Sequence, residues 1–227
     1  MSKGVLGIGC SYTWGEGLYY YSDLDNLPLK ENHEFDPKTV TPAMMLFKDN
    51  NKFIKFVADE LKTWWWTNRG NGGTNESAIK FYLDDEFVNK DLFKISDFQL
   101  MVFQFTHVGR SIFDGIDMES QIKMVDEKCK EFESNGVKVI SFCWDEEIPN
   151  SDIYKKLFKN RHMDITMDGE TKPGFDYFVW DDKFNITVQS DFVSKGYQRK
   201  DLHFNLKGHR IIADLIIDKL KKDNFIK

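Results

Sequence analysis

Three residues carry the chemistry this sequence is equipped to do: Ser11 near one end, and Asp201 and His203 near the other. A serine hydroxyl attacks a carbonyl only when a base removes its proton, and that base is most often an imidazole held by a third group. Ser11 lies in "GIGCSYTWGEG", residues 7–17, directly after an apolar run. A strand that stops there and turns sharply leaves the hydroxyl at the carboxyl edge of a sheet, where ligands collect in open α/β folds. His203 lies in "KDLHFNLKGH", with Asp201 two positions earlier and a helical pattern opening just after it. At a strand-to-helix loop it can face the same sheet edge as Ser11.

Each residue also has a plainer reading. Ser11 can simply cap the helix after the turn, and His203 can bond the next helix without reacting. His209 falls near the first turn of the terminal helix and reads as packing or surface. His107 reads as loop filler or site wall, while His33 and His162 lie in polar segments and are expected to be solvated.

Competing chemistries fail on spacing. Gly7-Ile8-Gly9 invites a dinucleotide reading, but the third glycine of G-x-G-x-x-G is Tyr12, and no Gly-Lys-Ser/Thr follows for a phosphate loop. No acidic or histidine cluster has ligand spacing, Asp84-Asp85-Glu86 reads as a solvated helix face, and neither a metal nor another cofactor is expected. Cys10, Cys129 and Cys143 are odd in number and widely spaced in apolar or helical contexts, so they read as reduced core residues.

The elements that must position these groups follow from periodicity. Residues 4–10 form a first buried strand, "TWWWTN" (63–68) a second, "FQLMVFQFT" (98–106) a third and "VKVISFCW" (137–144) a fourth. Helical stripes run through Ile54, Val57, Ala58 and Leu61, through Met118 to Phe132, and through Gly208, Ile211, Ile212 and Leu215. Thr74 or Asn75 is the expected N-cap of another helix. A short helix is expected at 151–159 and a strand around "FDYFVW". Trp64, Trp65 and Trp66 in succession point to both faces of their strand. The polar, aromatic stretch around 18–50, with Pro28, Pro37 and Pro42, reads as an irregular insertion, its Tyr19, Tyr20 and Tyr21 placed to wall the pocket. Alternation of strands and helices implies one α/β domain over 1–227, with a parallel sheet covered on both faces.

Bulk properties agree. With 227 residues, 41% apolar, the chain can bury a substantial core, and its formal charge of −6 argues against an electrostatic nucleic-acid binder. The N-terminus lacks the apolar run of a signal peptide and no stretch is long enough to span a membrane, so a cytoplasmic location is expected.

Taken together, these blocks resemble those of the SGNH, or GDSL-like, hydrolase superfamily. Gly9-Cys10-Ser11-Tyr12 resembles the first block, "NRGNGGTNESAI" the glycine block and "DLHFNLKGHRIIA" the histidine block. The form "GCSYTWGEG" is similar to versions in tailed phages. The resemblance implies a three-layer α/β/α sandwich with a flavodoxin-like parallel sheet, and a serine ester hydrolase acting on a small or carbohydrate ester such as an O-acetylated sugar. It implies Ser11 as nucleophile, His203 as base and Asp201 as orienting carboxylate, with Gly73, or Gly70 as a second candidate, supplying an oxyanion amide. Two departures stand out. The carboxylate is at minus two, with Lys200 at minus three, leaving either a triad or a Ser-His dyad. The Gly-x-Asn-Asp block is replaced by "FQFTHVGR", so Thr106, His107, Asn75 and Arg110 become the candidate substitutes for its oxyanion donor. Those departures also leave open a degenerate scaffold that binds a glycan or protein partner in the same cleft.

Overall fold

Glycines and β-branched residues open the chain as a strand with no polar side chain to solvate, and that strand becomes the centre of the sheet. The computed structural model describes residues 2–26, 40–68, 74–79, 93–107, 116–194 and 201–226. In chain order these form β1 (Gly4–Ile8), α1 (Ser11–Trp14), a 3₁₀ segment (Leu18–Asn26), α2 (Pro42–Asn51), α3 (Phe53–Glu60), β2 (Trp65–Thr67) and α4 (Asn75–Ser77). There follow β3 (Phe98–Phe105), α5 (Met118–Ser134), β4 (Lys138–Cys143), α6 (Glu147–Asn150), α7 (Asp152–Phe158), β5 (Ile165–Met167) and β6 (Glu170–Lys172). The chain finishes with α8 (Asp176–Trp180), α9 (Val188–Ser194) and α10 (Leu206–Lys222).

The main sheet runs β2-β1-β3-β4 and is parallel throughout. Beyond β4, an isolated parallel bridge joins Ser141 to His162, and the order β2-β1-β3-β4 is that of the first four positions of a flavodoxin-like sheet. Residues alternate between faces as the two-residue strand period requires. Val5, Leu100, Val102 and Ile140 pack with Ile54, Val57 and the terminal-helix residues Ile212 and Ile216 on one side. Leu6, Ile8, Met101, Phe103 and Val139 pack with Ile122, Val125, Cys129 and Phe132 on the other. The result is a three-layer α/β/α sandwich.

Local signals explain the element ends. Thr74 caps α4 by accepting from the Ser77 amide, Asp117 caps α5 through Ser120, and Asn205 caps α10 through Gly208. Helix α5 stops at Asn135-Gly136, where Gly136 has φ +77°.

Several expectations need correction. "FDYFVW" forms α8, not a strand: Phe178 and Val179 are packed into the core from a helix, so tertiary burial overrides the β preference of aromatic and branched residues. Within the stretch read as an irregular insertion, residues 18–26 are 3₁₀ and 42–51 are the helix α2; 27–39, with His33, lie outside the described residues. His162 is half-buried rather than solvated, because it joins the sheet edge and its Nδ1 lies 3.0 Å from the Tyr154 hydroxyl. All three cysteines are buried and free, and burial pushes the Cys129 thiol up to about 12 and raises that of Cys143 as well. The three tryptophans do split between faces, Trp65 toward one core and Trp64 and Trp66 toward the other, each half-buried. Among the described residues, no helix is long and apolar enough to cross a membrane.

Candidate active site

Strand β1 runs between β2 on one side and β3 on the other, so its carboxyl end is the point where the strand order reverses, and crevices of open α/β sheets lie there. Two residues past Ile8 the chain turns into α1, and Ser11 is its first residue. The turn is tight. A Cβ on Gly9 would lie 2.4 Å from Thr13 Oγ1 and 2.8 Å from Gln104 Cβ, so only glycine fits. Two neighbouring strand ends brace it. Asn68, just past β2, accepts from the Gly9 amide at 3.1 Å and donates to the Gly9 carbonyl at 2.7 Å, extending the ladder with a side chain. Gln104, near the end of β3, accepts from Thr13 Oγ1 at 2.7 Å and donates to Cys10 Sγ at 3.1 Å.

The opposite wall comes from 192 residues away. Segment 201–205 is pinned to the start of α9: the amides of Val188 and Gln189 donate to the carbonyls of His203 and Asp201, and Asn205 N donates to Ile186 O. His203 Nε2 lies 2.8 Å from Ser11 Oγ, and His203 Nδ1 lies 2.7 Å from Asp201 Oδ1. An ionised carboxylate only accepts, so with the Nδ1–H of His203 directed at Asp201, Nε2 is left as the atom that can accept a hydrogen bond from the Ser11 hydroxyl.

The minus-two spacing has a local cause. Asp201 Oδ1 also accepts from the backbone amide of His203 at 3.1 Å. That is the Asx-turn habit of a short carboxylate bonding the amide two residues on, and it carries the oxygen to the ring of the same residue. Asp201 is buried, Ser11 is only 8% exposed, and the His203 side chain is 26% exposed, so the imidazole is the part open to solvent. Tyr12 secures the arrangement: its hydroxyl donates to Leu202 O at 2.9 Å, and its ring meets that of His203 at 4.8 Å between centroids. Gly17, at φ +84°, lets the chain pass beside Asp201; a Cβ there would strike Val188 Cγ2 at 2.7 Å.

The remaining candidates are placed unequally. Thr106 lies three residues past the last β1–β3 pair, Ile8 with Phe103, just as Ser11 does on β1, so both reach the same rim. Its amide donates to Asn75 Oδ1 at 2.9 Å, and Asn75 Nδ2 donates to Gln121 Oε1 at 3.3 Å. Asn75 therefore holds the end of β3 and is buried, whereas His107 is exposed. Gly70, Gly73 and Arg110 lie outside the described residues. Among the described residues Tyr19 and Tyr20 are buried in a satellite cluster with Met44, Val188 and Phe192 rather than exposed as a wall.

His209 is fully buried, accepts from the Phe53 amide through Nδ1 at 3.3 Å, and leaves Nε2 without a hydrogen-bond partner among the described residues. Burial foremost, with the charges of Lys52 and His203 adding, holds its pKa down to about 3. Asn68, Gln104 and Tyr12 are the functional-site residues that spacing alone missed. Their only sequence signal is a polar side chain closing an apolar strand, at Asn68 and Gln104, and an aromatic beside the serine.

No protein-family model matches this chain, and no curated protein matches it. A solved structure of a protein assigned to the lipolytic G-D-S-L family, from Desulfitobacterium hafniense DCB-2, is similar to it over 96% of this chain and 100% of that one, with a TM-score of 0.44 and 10% sequence identity.

Proposed function

We propose that this protein is a serine ester hydrolase with Ser11 as nucleophile. The observation that carries the reading is the continuous Asp201–His203–Ser11 relay, with contacts of 2.7 and 2.8 Å at the carboxyl end of the central strand. Ser11 Oγ forms a bond to the ester carbonyl carbon while His203 Nε2 takes its proton. Collapse of the tetrahedral species breaks the bond to the alcohol oxygen, and His203 returns the proton to that alcohol. Water then attacks the acyl-serine by the same route, releasing the acid and restoring Ser11. Asp201 fixes the tautomer and stabilises the imidazolium, which makes this a triad rather than a dyad.

The amides of Ser11 and Gly73, with a group near Thr106 or His107, are the proposed oxyanion donors; one such donor is worth about 10²–10³ in rate. The proposed substrate is a small or carbohydrate ester, an O-acetylated sugar foremost, on the strength of the resemblance of the sequence blocks alone. The test is turnover of p-nitrophenyl acetate together with labelling by a fluorophosphonate. The wild type is expected to hydrolyse the ester and take the label on Ser11, and Ser11→Ala to do neither. Equal turnover by the variant would remove Ser11 from the chemistry.

A further inference from the structure

Because the main sheet is parallel, β4 ends at the same rim as β1, and Trp144 is the first residue past it. Its indole packs on Tyr12 with ring centroids 4.6 Å apart, and the same Tyr12 ring meets His203 at 4.8 Å. We propose that Trp144 is the platform on which the alcohol part of the substrate lies, and that this alcohol is a pyranose sugar. The inference rests on the serine-hydrolase reading above and assigns one side of that same site.

The reaction decides which part of the ester comes here. His203 Nε2 returns the proton to the departing alcohol, so the alcohol oxygen must come within hydrogen-bond reach of that nitrogen. The oxyanion donors hold the carbonyl oxygen instead. Whatever the alcohol carries therefore extends from the imidazole, where the ring surface continues through Tyr12 to Trp144.

Exposure selects among those rings. Tyr12 is buried with its hydroxyl donating to Leu202 O, and Phe175 and Phe204, which also pack on its ring, are fully buried. Trp144 is partly exposed. It is also fixed in place: its amide donates to Phe105 O at 3.0 Å, its carbonyl accepts from Asp176 N at 2.8 Å, and its ring stands edge-on to Phe175 at 4.7 Å. A ring already held loses little freedom when a ligand settles on it.

The chemistry of the indole selects the ligand. It offers a π face that attracts polarised C–H groups and an N–H that only donates. The Trp144 N–H has no hydrogen-bond partner among the described residues and is not enclosed. A pyranose uses both features, since C–H groups line its face and hydroxyls its rim. An arene or a short alkyl chain uses at most the π face.

The test compares methyl 6-O-acetylglucoside, benzyl acetate and ethyl acetate as substrates of the wild type and of Trp144→Leu, whose melting curve shows whether it folds. Nuclear magnetic resonance of the wild-type indole N–H groups, during titration with methyl glucoside, reads binding without chemistry. The wild type should favour the sugar ester over both others by about tenfold or more in kcat/KM. Trp144→Leu should raise KM for the sugar ester by about tenfold or more at little changed kcat and treat ethyl acetate as the wild type does, the signature of lost binding rather than of a disturbed site. The Trp144 indole signal should move saturably, while that of Trp64, whose N–H donates to Ser2 O at the other edge of the sheet, stays. An equal loss on ethyl acetate, a preference for benzyl acetate, or an unmoved Trp144 signal would each overturn the assignment. If Trp144→Leu does not fold, the wild-type preference and the indole shift decide. If no ester is hydrolysed and Ser11 takes no fluorophosphonate, the hydrolase reading fails, and the indole shift alone then decides whether a sugar lies on Trp144.

Discussion

Thr13 Oγ1 donates to Gln104 Oε1 at 2.7 Å, so the turn that begins with the proposed nucleophile is tied to the neighbouring strand by a buried side-chain bond. Gln104 touches no reacting atom; it acts through the backbone of residues 10–13. Replacing it by Leu keeps an apolar stem but removes both hydrogen-bonding groups, which strands the Thr13 hydroxyl and frees the turn. Because small misplacements of a nucleophile are magnified in rate, Gln104→Leu should lower kcat by about 10–100-fold with little change in KM. Steady-state kinetics and the rate of fluorophosphonate labelling check this.

The carboxylate can be tested without disturbing the shape of the loop. Asp201→Asn preserves the acceptor for the His203 amide but allows the wrong imidazole tautomer, so kcat should fall by roughly 10³–10⁴-fold. A loss of only a few fold would mean that His203 works without a third member.

Gly9 is held between Thr13 and Gln104 with no room for a methyl group. Gly9→Ala should destabilise the protein by roughly 1–3 kcal/mol through overpacking, read as a lower denaturation midpoint at unchanged m-value, and should remove esterase activity by displacing Ser11.

His209 makes stability depend on pH. Its folded pKa of about 3 lies below the ordinary histidine value of 6.5, so between those limits the unfolded chain binds more protons than the native one. Its contribution is complete above pH 6.5 and is lost as pH falls toward 3, with a slope of up to about 1.4 kcal/mol per pH unit. His209→Asn keeps an acceptor for the Phe53 amide and removes the titration, so its unfolding free energy should vary less than that of the wild type between pH 6.5 and 5, as measured by urea denaturation.

Much of the frame was legible in the amino-acid order because it is governed by local rules. Apolar strand runs, the three-and-four spacing of Ile122, Val125, Cys129 and Phe132, and the cap at Thr74 depend on near neighbours, and each marks an element where the fold has one. The position of Ser11 at a strand end was equally local. What tertiary structure decided was the meeting of Ser11 and His203 across 192 residues, the bracing of Gly9 by Asn68 and of Cys10 and Thr13 by Gln104, and the helical fate of "FDYFVW". The physical reason is that side-chain direction across strands, and the burial that overrides intrinsic preference, are set by partners remote in the chain. The reach of Asp201 to His203 falls between the two: its spacing is visible in sequence, but the Asx turn that makes it productive is held in place by α9.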